Sequence, residues 1–223
     1  MNTMVFARAS NQAHTLRLSA LAARVALGAS AATLVALAGL HIASPEFDPS
    51  WRMVSEYAIG RAAWLLSLMF VLWGISTWAL AAALWGQLDT RIGKAGIWLL
   101  VAAGLGEAMA SVYDITHPVG HGVAGLLGMG GLPIAAVLVS LAADRTAGFG
   151  ASRIRCWLAY ATCMSVVLLI GTIALLAAQF AAVNGGVLPE QAPTALPAGV
   201  LGLDGWADRL VVLSFCLWQA LVA

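Results

Sequence analysis

Asp114-Ile115-Thr116-His117-Pro118-Val119-Gly120-His121 is a short polar corner between two long apolar runs, residues 94–113 and 118–143. The runs decide the fold. A helix needs roughly twenty mainly apolar residues to cross a bilayer, and both runs reach that length without the period-two alternation of a barrel strand. Each therefore reads as a membrane-spanning helix, with the corner as the turn that reverses the chain. Working outward, the whole chain has the same character, since 61% of its residues are hydrophobic and only 9% are charged. Lipid is the solvent for most side chains, and backbone groups in lipid must be satisfied within the segment, which selects helices.

Four further spans follow on the same grounds, at residues 19–43, 61–86, 156–182 and 205–223, so the chain reads as an all-α polytopic bundle of six transmembrane helices. Residues 1–18 form an N-terminal arm and residues 19–223 a single domain. Arg8, Arg17 and Arg24 stand before the first run as they would before a signal peptide, yet that run is long and lacks a small-x-small exit, so it reads as a retained span. Between the first two spans, Asp48-Pro49 predicts an N-cap with proline at the first helical position. Trp51, Val54 and Ala58 would then share one face of a short interfacial helix. The fourth run carries Gly120, Gly122, Gly125, Gly128, Gly130 and Gly131 before Pro133, so a neighbouring helix can approach closely and the proline should bend it. Residues 184–204 hold Gly185, Gly186, Pro189, Pro193 and Pro197, too proline-rich for a span and long enough to act as a lid.

Charge placement gives an orientation. Arg8, Arg17, Arg24, Arg91, Lys94, Arg145, Arg153 and Arg155 collect on one side and Arg52, Arg61 and Arg209 on the other, which by the positive-inside rule puts both termini in the cytoplasm. Trp51, Trp64 and Trp206 would mark the outer interface and Trp85, Trp98 and Trp157 the inner one. A net charge of +1 without a dense basic tract excludes a nucleic-acid partner and leaves membrane lipids. The glycine-rich fourth helix is also a candidate surface for a second copy or another membrane protein. Cys156, Cys163 and Cys216 lack Cys-x-x-Cys spacing and read as small apolar residues.

The same topology gathers His41, Ser55, Glu56, Asp114, His117, His121, Asp204, Asp208 and Arg209 at the outer side, where they would line a polar chamber. His117 and His121 lie four residues apart on one helical face and with Asp114 would supply the three protein ligands of an open zinc site. Glu107 and Ser111 share a helical face with Asp114, and Glu107 lies two turns inside the membrane, where a carboxylate is a functional candidate by default. Glu107, Ser55 and Glu56 are the candidate catalytic groups. Ser55 would need a histidine as base, and Glu56 is expected to pair with Arg209 or Arg61. Arg209 could neutralise buried carboxylates or bind an anionic headgroup.

Phe47-Asp48-Pro49, Val54-Ser55-Glu56-Tyr57, Tyr113-Asp114, His121-Gly122 and Trp206 with Asp208-Arg209, in this order and spacing, resemble the bacterial six-helix membrane family catalogued as domain of unknown function 998. The resemblance runs from about Leu21 to the C-terminus and implies six spans, without an activity, in a bacterial inner membrane. Ser55, Glu56, Asp114, His121 and Arg209 match its pattern. His117 is not carried over, which leaves Asp114 and His121 as the firmer pair. A more distant similarity is to membrane hydrolases that include alkaline ceramidases, which hold zinc with histidines; this chain has one fewer span and lacks their terminal histidine motif. Two readings follow: an accessory, binding or structural membrane component, or a metal-dependent hydrolase of a lipid or lipid-linked substrate at the outer leaflet. A proton- or cation-coupled transporter working through Glu107 is a third. The absence of a complete catalytic motif favours the first, and the lack of an internal repeat speaks against an inverted-repeat transporter.

Overall fold

The structure is a computed structural model that describes residues 2–146, 148–187 and 193–223, with side chains from Arg17 onward. Helices α1 (Asn2–Ala43), α2 (Ala63–Leu84), α3 (Arg91–Ala110), α4 (Pro118–Gly125), α5 (Gly131–Ala143), α6 (Arg153–Val183) and α7 (Asp204–Val222) account for most of it. A π-helical turn, Leu126–Gly130, joins α4 and α5 into one rod, so six segments are long and apolar enough to cross a membrane. No strand occurs among the described residues. The chain is a six-span helical membrane bundle.

Local chemistry sets the ends. α3 begins at Arg91, earlier than its apolar run, because Thr90 Oγ1 accepts from the Gly93 amide at 3.0 Å. Ser152 caps α6 in the same way, accepting from Arg155 N at 3.3 Å. Gly86, in the left-handed region at φ 83°, turns the chain out of α2. At 31 residues α6 is about 46 Å long by its rise, more than the roughly 30 Å hydrocarbon core, so it tilts or projects. The bend expected at Pro133 takes the form of the π turn just before it. Proline offers no N–H to the carbonyl four residues back, and the wider turn absorbs the mismatch.

The interfacial helix differs from expectation. Asp48 Oδ1 accepts from Ser50 N at 2.9 Å and Ser50 Oγ at 2.7 Å, closing a side-chain turn instead of capping a helix. The helix is a 3₁₀ turn further on, Val54–Ile59, whose entry is fixed by Met53 N donating to Glu56 Oε2 at 2.7 Å. Trp51 is buried rather than interfacial, pressed under Gly202 of the last connection, whereas Trp64, Trp206, Trp85, Trp98 and Trp157 are exposed as a membrane belt requires.

The helices close a ring in which α1 meets α2 and α7, α3 meets α2 and α5, and α6 meets α5 and α7. α7 is the most enclosed span and α6 the least. Leu80, Leu84, Leu100, Leu132, Val139, Phe215 and Trp218 fill the core. Three glycines of the fourth span serve close approaches, Gly128 and Gly131 against Glu107 and Ala103 of α3 and Gly120 against Tyr113, while Gly122 and Gly125 have open space beside them.

Candidate functional site

One thread of polar side chains runs through the apolar core. Ser30 Oγ of α1 and Ser76 Oγ of α2 share a hydrogen bond at 2.6 Å, and both lie 3.1 Å from Gln219 Oε1 of α7, which accepts from the hydroxyl whose proton is left free. Gln219 Nε2 donates to Thr77 Oγ1 at 2.6 Å, and Thr77 Oγ1 lies 2.5 Å from Glu107 Oε2 of α3. Each member is buried, and polar groups in lipid persist only when paired in this way. The thread is incomplete at Glu107. Its Oε1 has no hydrogen-bond partner among the described residues although the side chain is 4% exposed.

Glu107 borders a cavity of about 90 Å³ near the 3₁₀-helix end of the bundle. Its walls come from Val54 and Ser55 of the 3₁₀ helix, Phe70 and Trp73 of α2, Gly106 and Ala110 of α3, His121 and Gly125 of α4, Met129 of the π turn, and Asp208 and Val211 of α7. A single water needs roughly 10–15 Å³ of such space, so a small organic group fits. The lining is apolar apart from Ser55, Glu107, His121 and Asp208. Trp73 is held by Phe70, stacked at 6.4 Å between centroids, and by Phe215, edge-on at 5.8 Å. Its indole Nε1 is buried and, like Glu107 Oε1, has no partner among the described residues. Asp208 is engaged, since Oδ2 accepts from Val54 N at 2.7 Å and so ties the 3₁₀ helix to α7.

The residues expected to bind metal are not gathered for it. Asp114 Oδ1 accepts from Thr116 N at 2.8 Å and Thr116 Oγ1 at 2.6 Å, and lies 3.3 Å from His117 Nδ1. These hydrogen bonds, first those from Thr116, hold the Asp114 carboxyl below its usual range. His117 is exposed, while His121 turns Nδ1 to the Tyr113 carbonyl at 3.0 Å and lines the cavity. No group of three His, Cys, Asp or Glu side chains able to hold a metal occurs among the described residues, so the zinc site is without support. The corner is a side-chain turn that leads into α4, closed by Asp114 on Thr116 as Asp48 closes one on Ser50, and no side chain caps the helix itself.

Glu56 pairs with Arg52, at 3.1 Å, and not with Arg209 or Arg61. Burial raises its carboxyl above the ordinary value, and Arg52 opposes the shift. Arg61 instead meets Glu46 at 3.5 Å and the Ala43 carbonyl at 2.6 Å. Arg209 donates to His41 Nε2 at 2.7 Å, Arg52 O at 2.9 Å, Gly205 O at 2.8 Å and Tyr57 Oη at 3.1 Å, which leaves one of its five N–H groups for a ligand. The described part of the last connection packs on Arg52, whose Nη1 donates to Pro193 O at 2.8 Å, and it does not line the cavity; residues 188–192 lie outside the described set. Of the expected site residues, the fold thus brings Ser55, Glu107 and His121 to one cavity and leaves Asp114, His117, Glu56 and Arg209 in supporting contacts. Sequence reasoning passed over Trp73, Thr77 and Gln219. The two polar ones carried a signal, as uncharged hydrogen-bonding side chains within apolar spans.

No curated protein and no solved structure matches this chain. Residues 25–223, nearly the whole bundle and every wall of the cavity, match the family described as Protein of unknown function (DUF998), and the chain belongs to that family.

Proposed function

We propose that this protein is a membrane-embedded binding component that takes the head of a small amphipathic molecule into the cavity between α2, α3, α4 and α7 while the tail stays in lipid. The observation that carries this reading is Glu107, a buried carboxyl with one unpartnered oxygen on the wall of a mostly apolar cavity. A buried polar atom left unpaired costs about 1–3 kcal/mol. A ligand that supplies the missing hydrogen bond recovers part of that cost.

Gly125 provides the test, because it borders the cavity and a β-carbon there meets nothing within 4 Å. Mass spectrometry of protein purified in mild detergent should find an amphiphile retained by the wild type and depleted in Gly125→Leu. Equal retention in the two, or none in either, would sink the reading.

A second reading is favoured by the presence of Ser55, Glu107, His121 and Asp208 on one cavity. With Nδ1 of His121 committed to a carbonyl, Nε2 is the nitrogen left to act as a base toward Ser55, as a lipid hydrolase would need. Turnover of the retained amphiphile that is lost in Ser55→Ala would select this reading over simple binding. We place the cavity end on the exterior and both termini in the cytoplasm, as a multi-pass protein of a bacterial inner membrane, because the basic loop residues gather at the opposite end.

A further inference from the structure

We infer that the head group taken by this cavity is a neutral hydroxyl, so that the ligand class is a long-chain alcohol or another lipid with a free hydroxyl. The inference rests on the binding reading above and makes it more specific.

Two cavity residues each hold one buried polar atom without a partner among the described residues, and the two atoms are complementary in kind. Trp73 Nε1 can only donate. Glu107 Oε1 accepts when the carboxyl is ionised and Thr77 Oγ1 donates to Oε2, and it still accepts when the carboxyl is protonated on Oε2, because that proton then goes to Thr77 Oγ1, whose own hydroxyl turns to the Trp73 carbonyl at 3.2 Å. A ligand that satisfies both must accept from an indole N–H and donate to a carboxyl oxygen. A hydroxyl does both through a single atom. An ammonium donates only and leaves Trp73 unpaired. A carboxylate or phosphate accepts only, and would meet the carboxyl groups of Glu107 and Asp208 on the same walls. An alkyl group satisfies neither. Both partners are fixed in advance, Trp73 between Phe70 and Phe215 and Glu107 on the Thr77–Gln219 thread, so little order is lost on binding.

The test is photolabelling of the full chain in lipid nanodiscs with a dodecanol that carries a mid-chain diazirine, with adducts mapped by peptide mass spectrometry. We expect adducts at Phe70, Met129 or Val211, and competition by unlabelled dodecanol about fivefold or more stronger than by dodecane, dodecylamine or dodecanoate, as one or two net hydrogen bonds require. Trp73→Phe and Glu107→Leu should each erase most of that preference, while Glu107→Gln, whose amide oxygen still accepts, should keep it. If the Trp73 or Glu107→Leu variants fail to fold, the competition series on wild type decides alone. Cavity adducts with equal competition by dodecanol and dodecane would overturn the hydroxyl assignment and leave amphiphile binding standing. Adducts confined to lipid-facing residues of α6, as for a cavity that holds water only, would overturn both.

Discussion

Arg209 joins three parts of the chain that are far apart in sequence. Through four hydrogen bonds it binds His41 at the end of α1, the Arg52 carbonyl and Tyr57 before α2, and its own helix at Gly205. Because Nε donates to His41 Nε2, His41 carries its proton on Nδ1, which faces the Leu37 carbonyl at 2.7 Å. A lysine keeps the charge but cannot reach all four acceptors from one nitrogen. We expect Arg209→Lys to destabilise the protein by on the order of 2–4 kcal/mol, measured as unfolding in detergent, with at least two acceptors stranded; a loss below about 0.5 kcal/mol would show that water replaces the guanidinium. Glu56, nearby, gives a pH signature. Its carboxyl is raised from 4.5 in the fold, so between that value and its folded one the native state binds more protons than the unfolded state. Stability should therefore fall as pH rises through this window, and Glu56→Gln should flatten the slope. Superimposable curves of unfolding midpoint against pH for the two proteins would refute it.

At the scale of elements, the close meeting of α3 with the fourth span decides where the cavity lies. A β-carbon on Gly106 would run into Gly128 N and Ala124 O, so the backbones touch there because both sides are small. Gly106→Ala should force the helices apart and cost about 1–3 kcal/mol, whereas Gly122→Ala, which meets nothing within 4 Å, should be neutral or stabilise by up to about 1 kcal/mol. The corner before α4 is similarly local. Asp114→Ala removes the acceptor for Thr116 and should cost about 0.5–1.5 kcal/mol and speed amide exchange at Thr116, with Asp114→Asn close to wild type because its oxygen still accepts. These elements mark what the sequence made legible. Six spans could be read because a run of twenty apolar residues is a local property; at Thr90 and Ser152 a cap overrode hydropathy and started the helix earlier, and elsewhere α2 and α3 stop two or three residues short of their apolar runs. The short helix was misplaced because Asp48 closes a turn as readily as it caps. The zinc expectation had only spacing behind it, and spacing does not reveal that His121 is claimed by the Tyr113 carbonyl and Asp114 by Thr116. Of the cavity, only the polar members Ser55, Glu107, His121 and Asp208 could be read. Its walls come from five helices and a π turn, and only packing brings Trp73 to Glu107.

Across the whole molecule, the polar thread and the charge pattern bear on what crosses the membrane and which way the bundle faces. From Glu107 the thread passes Thr77 and then Gln219, whose amide holds its protons too firmly to relay one, so these side chains by themselves make no proton wire from the cavity to the other face. That weakens coupled transport relative to binding, in which the thread serves to aim Glu107. Orientation rests on the loops. Arg91, Lys94, Arg145 and Arg153 stand at the end opposite the cavity, and at the cavity end Arg52 is paired with Glu56 and Arg61 with Glu46. Loop lysines and arginines are retained on the cytoplasmic side during insertion, and they are more numerous at the end opposite the cavity, so the cavity should face outward. Exposed Glu46 and Asp89 lie in loops at the two ends and can report it. In a variant with Cys156, Cys163 and Cys216 replaced by serine or alanine, Glu46→Cys should react with a membrane-impermeant maleimide in intact spheroplasts, and Asp89→Cys only after the membrane is opened. The reverse pattern would turn the bundle over and give the cavity to the inner leaflet, where a cytoplasmic supplier of the hydroxyl lipid would have to deliver it. Labelling of both sites in intact spheroplasts would mean mixed insertion, and the charge difference would then be too small to set a single orientation.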